Sequence, residues 1–477
     1  MALDLSNKHP EWTETATART KGRDLYSGTA VVRAKRTTYL IQETNESDAD
    51  YENRLRRAVL DPYCEKIIAA RQGMLFRKEA TRILPAGLAK YENNVDLKGT
   101  PGGVFFRDAA SEAQVDGAHW VLVDMPRAPE GGYGSQAEAE TYGARPYFDH
   151  VPAGAVVDWS VGEDRELSWA VIAYQHTNEG ERGWGYEIES ESRWKVWTRE
   201  AWYIYGEAAN IGASAPGTSD KFILIDEGVN PTGVVPLVPF LGLRLSDYAG
   251  WPVCHAVLDH IVLLYNKASD LDWYERLSAH PIPYVIGPEK PEILDVAKGL
   301  YLKSEPSGGA VSAGYLEPAG TAYDALRASM DSLVARILSI ALAQSMKDSA
   351  QVQSAEGQRE DRKIFAASLE TTSQSYEAAE QRCWDIAAAW TKDTGAVDIT
   401  YSRDFDDSLI EATMLNALTG LVAADMLTRT TALEIMQRGD LLPEGIDIAG
   451  EIELLESADE LAIARLAPRA DRTQSTE

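Results

Sequence analysis

The sequence predicts an α+β protein on two observations. Between residues 99 and 245, apolar and polar residues alternate over short runs rich in Trp, Tyr, Val and Ile, which is the period-two pattern of antiparallel strands. Between residues 251 and 390, apolar residues recur three and four positions apart over three long runs, which is the spacing of one helical face. The chain has 477 residues, enough for two to four domains or subdomains.

The first part of the chain predicts two short helices after a polar beginning. We expect residues 1–45 to be partly extended because they carry few apolar residues. A helix begins near Ser47, a good N-cap, and breaks at Pro62; a second helix then continues to about Leu75. The RLRR run at 54–57 is either the solvated face of the first helix or a phosphate contact.

Strands dominate the next two hundred residues. GAHWVLVDMP (117–126) is a short apolar strand ended by proline, and YFDHVPAGAVVDWS (147–160) has strand and turn character. SWAVIAYQH, SRWKVWTREAWYIYGE and KFILIDEG alternate apolar and polar residues at hairpin spacing. The aromatic residues at 194–205 fit either a half-buried sheet or a stacking platform for bases.

Three helices and a small insert follow. The first helix spans about 251–279 and ends before Pro281; the insert, 281–322, has strand and turn character. A polar loop near 344–358 separates the second and third helices. The helical stripe positions are Val257, Ile261, Leu264, Ala268 and Leu271, then Leu326, Met330, Leu333, Ile337 and Ile340, then Phe365, Leu369, Tyr376, Cys383, Ile386 and Trp390.

The end of the chain predicts a short strand in AVDITYSRDF and then three helices. Thr428 is an N-cap candidate for a helix that ends at Gly439. Residues from about 467 onward are expected to be disordered.

Charge and cysteine content exclude several classes of protein. The formal net charge is −28, so the chain does not hold nucleic acid by a basic surface. The charge serves either solubility or a surface that must pass a polyanion without binding it. Three cysteines far apart, without a CxxC pair, predict neither a disulfide framework nor a zinc knuckle. The N-terminus lacks the apolar stretch of a signal peptide, and no run of 18 apolar residues predicts a membrane span.

Catalytic and metal-binding motifs are not found. The sequence has no GxxxxGK[ST], HExxH or GxSxG motif, and the glycine-rich GTPGG (99–103) lacks the lysine of a phosphate loop. His255 and His260 are five residues apart, so they point to different faces of a helix and do not chelate one metal together. DFDD (404–407) fits a solvated loop better than a cation site. We therefore predict no catalytic, cofactor-binding or metal site, and an enzyme with a dispersed active site stays an alternative.

The order of these segments resembles the portal proteins of tailed bacteriophages, in particular a divergent group that carries a conserved uncharacterised domain. The matching segments run over residues 45–460 in the expected order: DYENRLRRAVLDPYCEKIIAARQGMLFRK, GAHWVLVDMP, VLDHIVLLYNKASDLDWYERLSAHPIPYVIG, GYLEPAGTAYDALRASMDSLVARIL, SAEGQREDRKIFAASLETTSQSYEAAEQRCWDIAAAW and LTRTTALEIMQRGDLLPEGIDIAGEIELLE. No single motif among them is diagnostic, so the ordered set carries the resemblance.

The resemblance implies a portal fold with the following division of the chain. Residues 1–44 would be an N-terminal arm, 45–250 the wing, 251–279 and 322–343 the two stem helices, and 280–321 the clip between them. Residues 344–357 would be the tunnel loop, 358–400 a long wing helix and strand, 401–466 a helical crown and 467–477 a disordered tail.

The same resemblance implies a function and partners. Portal subunits form a ring, typically of about twelve copies, around a DNA channel at one capsid vertex, and serve genome packaging, head–tail joining and DNA ejection. Expected partners are other copies of the chain, the terminase large subunit, the head–tail adaptor, the major capsid and scaffold proteins, and double-stranded DNA passing through without sequence-specific binding; no membrane partner is expected. The location would be the virion, with the host cytoplasm during assembly. A head-morphogenesis protein without a channel is the alternative.

Two sets of residues follow from this mapping. The stem stripes would pack between helices or between neighbouring subunits, through Val257, Ile261, Leu264, Leu326, Met330, Leu333, Ile337 and Ile340. The tunnel loop would present polar side chains to DNA, from Gln344, Lys347, Gln351 and Gln353.

Overall fold

The protein has an α+β fold, as predicted, and divides into two compact units, residues 1–403 and 404–477. The computed structural model describes residues 4–127, 129, 135, 138, 142–177, 190–207, 221–279, 282–287, 300–303, 312–316, 320–341, 355–403, 405, 419–422, 424, 426–438, 449–450 and 452–454. In the second unit, helix α10 (Arg429–Arg438) begins directly after Thr428, whose hydroxyl accepts the Thr431 N–H at 3.2 Å.

The expectation of a partly extended N-terminus is wrong from Pro10 to Ala34. Helix α1 (Pro10–Ser27) and helix α2 (Thr29–Ala34) occupy this region. Proline suits the first helical position because its missing N–H has no partner there in any case. The sequence of α1 shows little apolar periodicity because its buried residues are mostly small or polar: Thr15, Ala18, Gly22, Asp24 and Leu25.

Two further helices follow where the sequence predicts them. Helix α3 (Asp48–Arg57) is capped by the Ser47 side chain, and helix α4 (Tyr63–Leu75) follows Pro62. Both interpretations of the RLRR run are wrong for Arg54, which is buried and paired with Glu46 at 2.7 Å.

A short strand and two helices complete the N-terminal region. They are β1 (Thr81–Ile83), α5 (Ala86–Ala89) and α6 (Gly102–Asp116). GTPGG forms the turn that leads into α6, where the Gly102 N–H donates to the Glu92 carbonyl at 2.7 Å. Gly117 ends α6 with φ +91°, and a Cβ there would lie 2.4 Å from the Gly250 carbonyl oxygen. Only glycine fits that turn.

A three-stranded antiparallel sheet forms the centre of the first unit. Strand β2 (Ala118–Asp124), buried along its whole length, lies between β3 (Tyr147–Pro152) and β9 (Leu237–Leu241). This burial explains why GAHWVLVDMP reads as a continuous apolar run rather than as an alternating strand.

A five-stranded antiparallel meander lies beside it, in the order β4 (Val156–Val161), β5 (Leu167–Thr177), β6 (Ser190–Thr198), β7 (Ala201–Glu207) and β8 (Phe222–Val229). Trp197 is fully buried in a core that includes Trp120 and Trp159. On the other face, Trp194 packs with Phe222 and Leu5. These contacts fit the half-buried sheet rather than a stacking platform for bases.

The first long helix begins later than predicted. Trp251 belongs to a two-residue strand β11 (Gly250–Trp251) that pairs with β10 (Leu243–Arg244), and a 3₁₀ turn over His255–Val257 precedes helix α7 (Leu258–Ala279). The insert has strands β12 (Ile282–Gly287), β13 (Leu300–Lys303) and β14 (Ser312–Leu316). β12 lies in the centre, parallel to β13 and antiparallel to β14.

Helices α8 (Gly320–Ala341) and α9 (Ala355–Thr391) follow, in the order that the sequence predicts. The last strand of the first unit, β15 (Asp398–Thr400), pairs with β1 in antiparallel register. The strand predicted in AVDITYSRDF is therefore confirmed over these three residues.

Candidate functional site

Helices α7 and α8 form an antiparallel hairpin with the small sheet β12–β14 between them in sequence. Near the middle, the Lys267 ammonium donates to the Ser329 hydroxyl at 2.5 Å, and further along the Tyr323 hydroxyl donates to the Glu275 carboxylate at 2.9 Å. From the first contact to the second, the residue number rises along α7 and falls along α8. The two helices are therefore antiparallel. We call residues 258–341 the hairpin.

Burial changes along the hairpin. At the start of α7, the predicted stripe residues Val257, Ile261 and Leu264 are buried. From the middle of α7 onward the described side chains are mostly half-buried or exposed, and Trp273 and Tyr274 are both exposed. The start of α7 is therefore packed against the rest of the first unit, while its other end has few neighbours in a single copy.

Helix α8 shows the same gradient in reverse. Near its end Leu333 and Ile337 are buried, whereas Leu326 and Met330, closer to its start, are only half-buried. Ile340 departs from the predicted stripe because its side chain is 45% exposed. The buried part of the stripe thus joins one end of the hairpin to the rest of the first unit, which we call the body. Ile340 lies outside that contact.

The N-terminal segment braces α7. The Asn266 amide donates to the Tyr39 carbonyl at 2.7 Å and accepts the Ile41 N–H at 3.0 Å, so a side chain of α7 pairs with the backbone of the N-terminal segment. Arg57 forms an ion pair with Asp272 at 3.3 Å, which joins α3 to the same helix. The residues expected to be a separate arm therefore position the hairpin, a role that their polar sequence does not signal.

Helix α9 is anchored by a buried carboxylate that the sequence search misses. Glu380 is 0% exposed and accepts from Arg82 at 2.6 Å, from the Tyr401 hydroxyl at 2.6 Å and from the Trp384 indole at 3.2 Å. Burial and the Glu380 charge raise the pKa of Tyr401. A glutamate four residues after Tyr376, on the apolar face of the helix, is the sequence signal that could have found it.

The α9 stripe behaves as its spacing predicts. Phe365, Leu369, Tyr376, Cys383 and Ile386 are all buried. The indole of Trp390 donates to the carbonyl of Val123 at 3.0 Å, which ties the end of α9 to the central strand.

Two neighbouring histidines contact each other across the central sheet, whereas the two in the His255–His260 segment do not pair. His119 Nε2 lies 2.9 Å from His150 Nδ1 across strands β2 and β3, and Phe105 stacks on the His150 ring with 4.0 Å between centroids. Burial lowers the pKa of both rings, that of His119 to about 3. His255 instead stacks on Trp251, apart from His260. Among the described residues, no cluster of three His, Cys, Asp or Glu side chains could hold a metal ion.

Several predicted site residues have no structural outcome. Gln344, Lys347, Gln351 and Gln353, the expected tunnel-loop set, lie outside the described residues, as does most of DFDD. The three cysteines are described and are all buried thiols. Within the described part of the chain, no helix is both long and apolar enough to cross a membrane.

Comparisons with known proteins give one family match and several structural similarities. A family model described as a domain of unknown function (DUF4055) matches residues 261–391, which cover most of the hairpin and α9. No curated protein matches the chain.

Solved structures similar to this chain at low identity include three of gene transfer agent particles. A chain of the "Virion of native gene transfer agent (GTA) particle" has 9% identity and a TM-score of 0.39, over 86% of this chain and 99% of that one. A chain of the "Neck of native GTA particle computed with C12 symmetry" has 10% identity and a TM-score of 0.39, over 85% and 98%. One from the "Neck of empty GTA particle computed with C6 symmetry" has 10% identity and a TM-score of 0.41, over 86% and 98%.

Proposed function

We propose that this chain is a portal subunit of a tailed phage or phage-like particle, and that copies of it form a ring around a DNA channel. The observation that carries the proposal is the hairpin 258–341, packed into the body at one end and bearing a small sheet at the other. The order of helix, small sheet, helix and long helix agrees with the portal resemblance of the sequence, as does the polar composition of residues 344–357.

The exposed side chains of the hairpin support a role in assembly. Leu263, 47% exposed, and Tyr274 lie three helical turns apart on the same side of α7. Ile340 adds an exposed apolar side chain on α8. Neighbouring hairpins in a ring would remove such side chains from water, which single copies leave solvated. Helix α7, with 22 residues, is about 33 Å long, sufficient for a channel wall.

Charge supports a channel that does not retain its cargo. With a formal net charge of −28, the surface repels the phosphates of DNA on average, so DNA can move through without adhering. In this proposal the small sheet at the clip position contacts the terminase large subunit and later the head–tail adaptor, while the body contacts capsid and scaffold proteins. The chain itself carries out no catalysis, and it resides in the virion after assembly in the host cytoplasm.

Particle mass and shape test the proposal. Purified protein imaged by negative stain and weighed by mass photometry is expected to give rings of about twelve times 52.4 kDa with a central hole. Closed particles without a hole would instead favour a head-morphogenesis protein. A monomer at every concentration, also after co-expression with the scaffold and capsid proteins of its own particle, would contradict the proposal.

A further inference from the structure

A cavity of about 460 Å³ lies between the turn that joins β4 to β5, strand β9 and helix α9. Its floor is apolar and includes Leu167, Leu237 and Leu241, which belong to the buried core. Its volume is in the range of sites that hold a side chain or a small ligand. The floor therefore offers a place for an apolar group that reaches it from outside.

The rim of this cavity carries an excess of positive charge. Arg382 pairs with Glu166 at 2.9 Å, and Arg244 pairs with Asp247. Arg165, also on the rim, is exposed and has no ion pair within the described part of the chain. One cation is thus left over in a chain whose total charge is strongly negative.

The backbone holds Arg165 in an uncommon conformation. Its φ is +64°, in the left-handed region, and its carbonyl accepts the Tyr248 hydroxyl at 2.9 Å. A non-glycine residue in this region costs free energy, and such positions cluster at binding sites. The Tyr248 contact thus holds the backbone of Arg165 in place, and Arg165 is one of the residues that line the cavity.

Strand β8 of the five-stranded sheet has chemistry complementary to this cavity and its rim. Strand β8 is the last strand of the meander, and its outer edge has no strand partner within the described residues. Val229 at its end is 76% exposed, and Glu227 is exposed with no hydrogen bond or ion pair from its carboxylate in the described structure. Residues two apart in a strand point to the same face, so an apolar group and a carboxylate project together.

We propose that copies of this chain join head to tail through the Arg165 cavity of one copy and the end of strand β8 of the next. Val229 of one copy enters the apolar cavity of the next, and Glu227 pairs with Arg165 at its rim. The two surfaces differ from each other, so the contact repeats in one direction and closes into a ring when the rotation allows it. The inference rests on the proposed ring and names a contact outside the hairpin.

A charge exchange tests this contact. Arg165→Glu and Glu227→Arg, made singly, should each raise the protein concentration needed for half-maximal ring formation by about tenfold or more, because each places like charges together. The double variant restores opposite charges and should return to within a factor of about three of the natural chain. Arg56→Glu, on the exposed side of α3, is the matched control and should leave ring formation unchanged.

Mixed cross-linking tests the contact without requiring a closed ring. Glu227→Cys chains mixed with Arg165→Cys chains should form covalent dimers with a short bifunctional thiol reagent, whereas either variant alone should give no covalent dimer because its three other cysteines are buried. Rings that form equally in all charge variants, together with no dimers in the mixture, would overturn the contact and leave the ring proposal standing. Dimers in the mixture without rings would uphold the contact and contradict the ring.

Discussion

At the scale of single residues, buried charge sets where the long helix α9 can lie. Glu380 has no exposure, and Arg82, its partner on β1, is itself nearly buried. Removing one member of a buried pair leaves the other charge without compensation, which costs more than losing an exposed pair. The pair therefore fixes α9 against the β1–β15 sheet rather than merely adding one more contact.

Glu380→Gln should lower the free energy of unfolding by about 3–5 kcal/mol, because the Arg82 guanidinium would be left buried beside a neutral amide. Guanidinium denaturation followed by tryptophan fluorescence measures the change. Glu370→Gln, an exposed position on the same helix, should change it by less than about 0.5 kcal/mol. Equal effects of the two substitutions would contradict the assigned role of Glu380.

The His119–His150 pair should make stability depend on pH. Burial, then the neighbouring His150 and Arg23, lower the pKa of His119 from 6.5 to about 3, so the unfolded chain binds this proton and the folded protein does not. The contribution to stability is complete above pH 6.5 and decreases as the pH falls from 6.5 toward 3. At pH 4.5 the loss is about 3 kcal/mol.

The measurement compares the natural chain with His119→Gln over this pH range. Carboxylates titrate in both proteins, so the difference in unfolding free energy isolates the histidine. As the pH falls, the natural chain should lose unfolding free energy relative to the glutamine variant. Parallel curves from pH 7 to pH 4.5 would show that His119 does not resist protonation in the folded protein.

At the scale of elements, the hairpin carries two kinds of apolar side chain. Some are buried in the fold, and others are exposed in a single copy and available for contacts between copies. Ile337 and Ile340 belong to one predicted stripe, yet Ile337 is fully buried and Ile340 is not. Spacing alone cannot distinguish them, because it gives the side of a helix but not where along its length the neighbouring elements end.

Ile340→Asp should leave the melting temperature nearly unchanged and reduce ring formation, since its side chain is exposed in a single copy. Ile337→Asp should lower the melting temperature sharply, because it places a carboxylate in the core. Circular dichroism on heating and mass photometry separate the two effects. Thr371→Asp, exposed on α9, is the control. Normal rings from Ile340→Asp would exclude that face of α8 from the assembly contact.

The elements that could be predicted from the sequence are those with local signals. The caps at Ser47 and Thr428, the prolines after α7 and the alternation in β5–β8 each identify an element without knowledge of its neighbours. Helix α1 could not be found this way, because its partners are distant: Arg23 pairs with Asp116 of α6 at 2.7 Å. The β8 edge and the Arg165 cavity also escaped prediction, because they arise from strand order and not from sequence spacing.

At the scale of the whole molecule, charge is the property that concerns DNA most directly. A formal net charge of −28 opposes phosphate binding everywhere except at local cationic positions. A channel built from such subunits would guide DNA by its shape and not by attraction. Assembly at low salt would also have to overcome repulsion between copies, which dissolved ions screen over about 10 Å at 0.1 M.

Assembled protein should therefore bind linear duplex DNA more weakly than a Kd of about 10⁻⁴ M at physiological salt, the weak end of ordinary non-specific binding. Fluorescence anisotropy of a labelled duplex measures the affinity. A basic DNA-binding protein under the same conditions provides the positive control. Micromolar binding that weakens steeply with added salt would indicate a phosphate-binding surface and contradict a passive channel.

The pairing of β1 with β15 also has a consequence for biosynthesis. Thr81 lies opposite Thr400, so the strand made early has its partner only when most of the chain has left the ribosome. At ordinary rates of translation, the intervening residues take roughly 15–60 s to synthesise. During that interval the surface that α9 later covers stays open to water. A nascent subunit therefore completes this part of its fold only when translation is nearly finished, and until then its open surface and the unpaired β1 strand are exposed to neighbouring nascent chains.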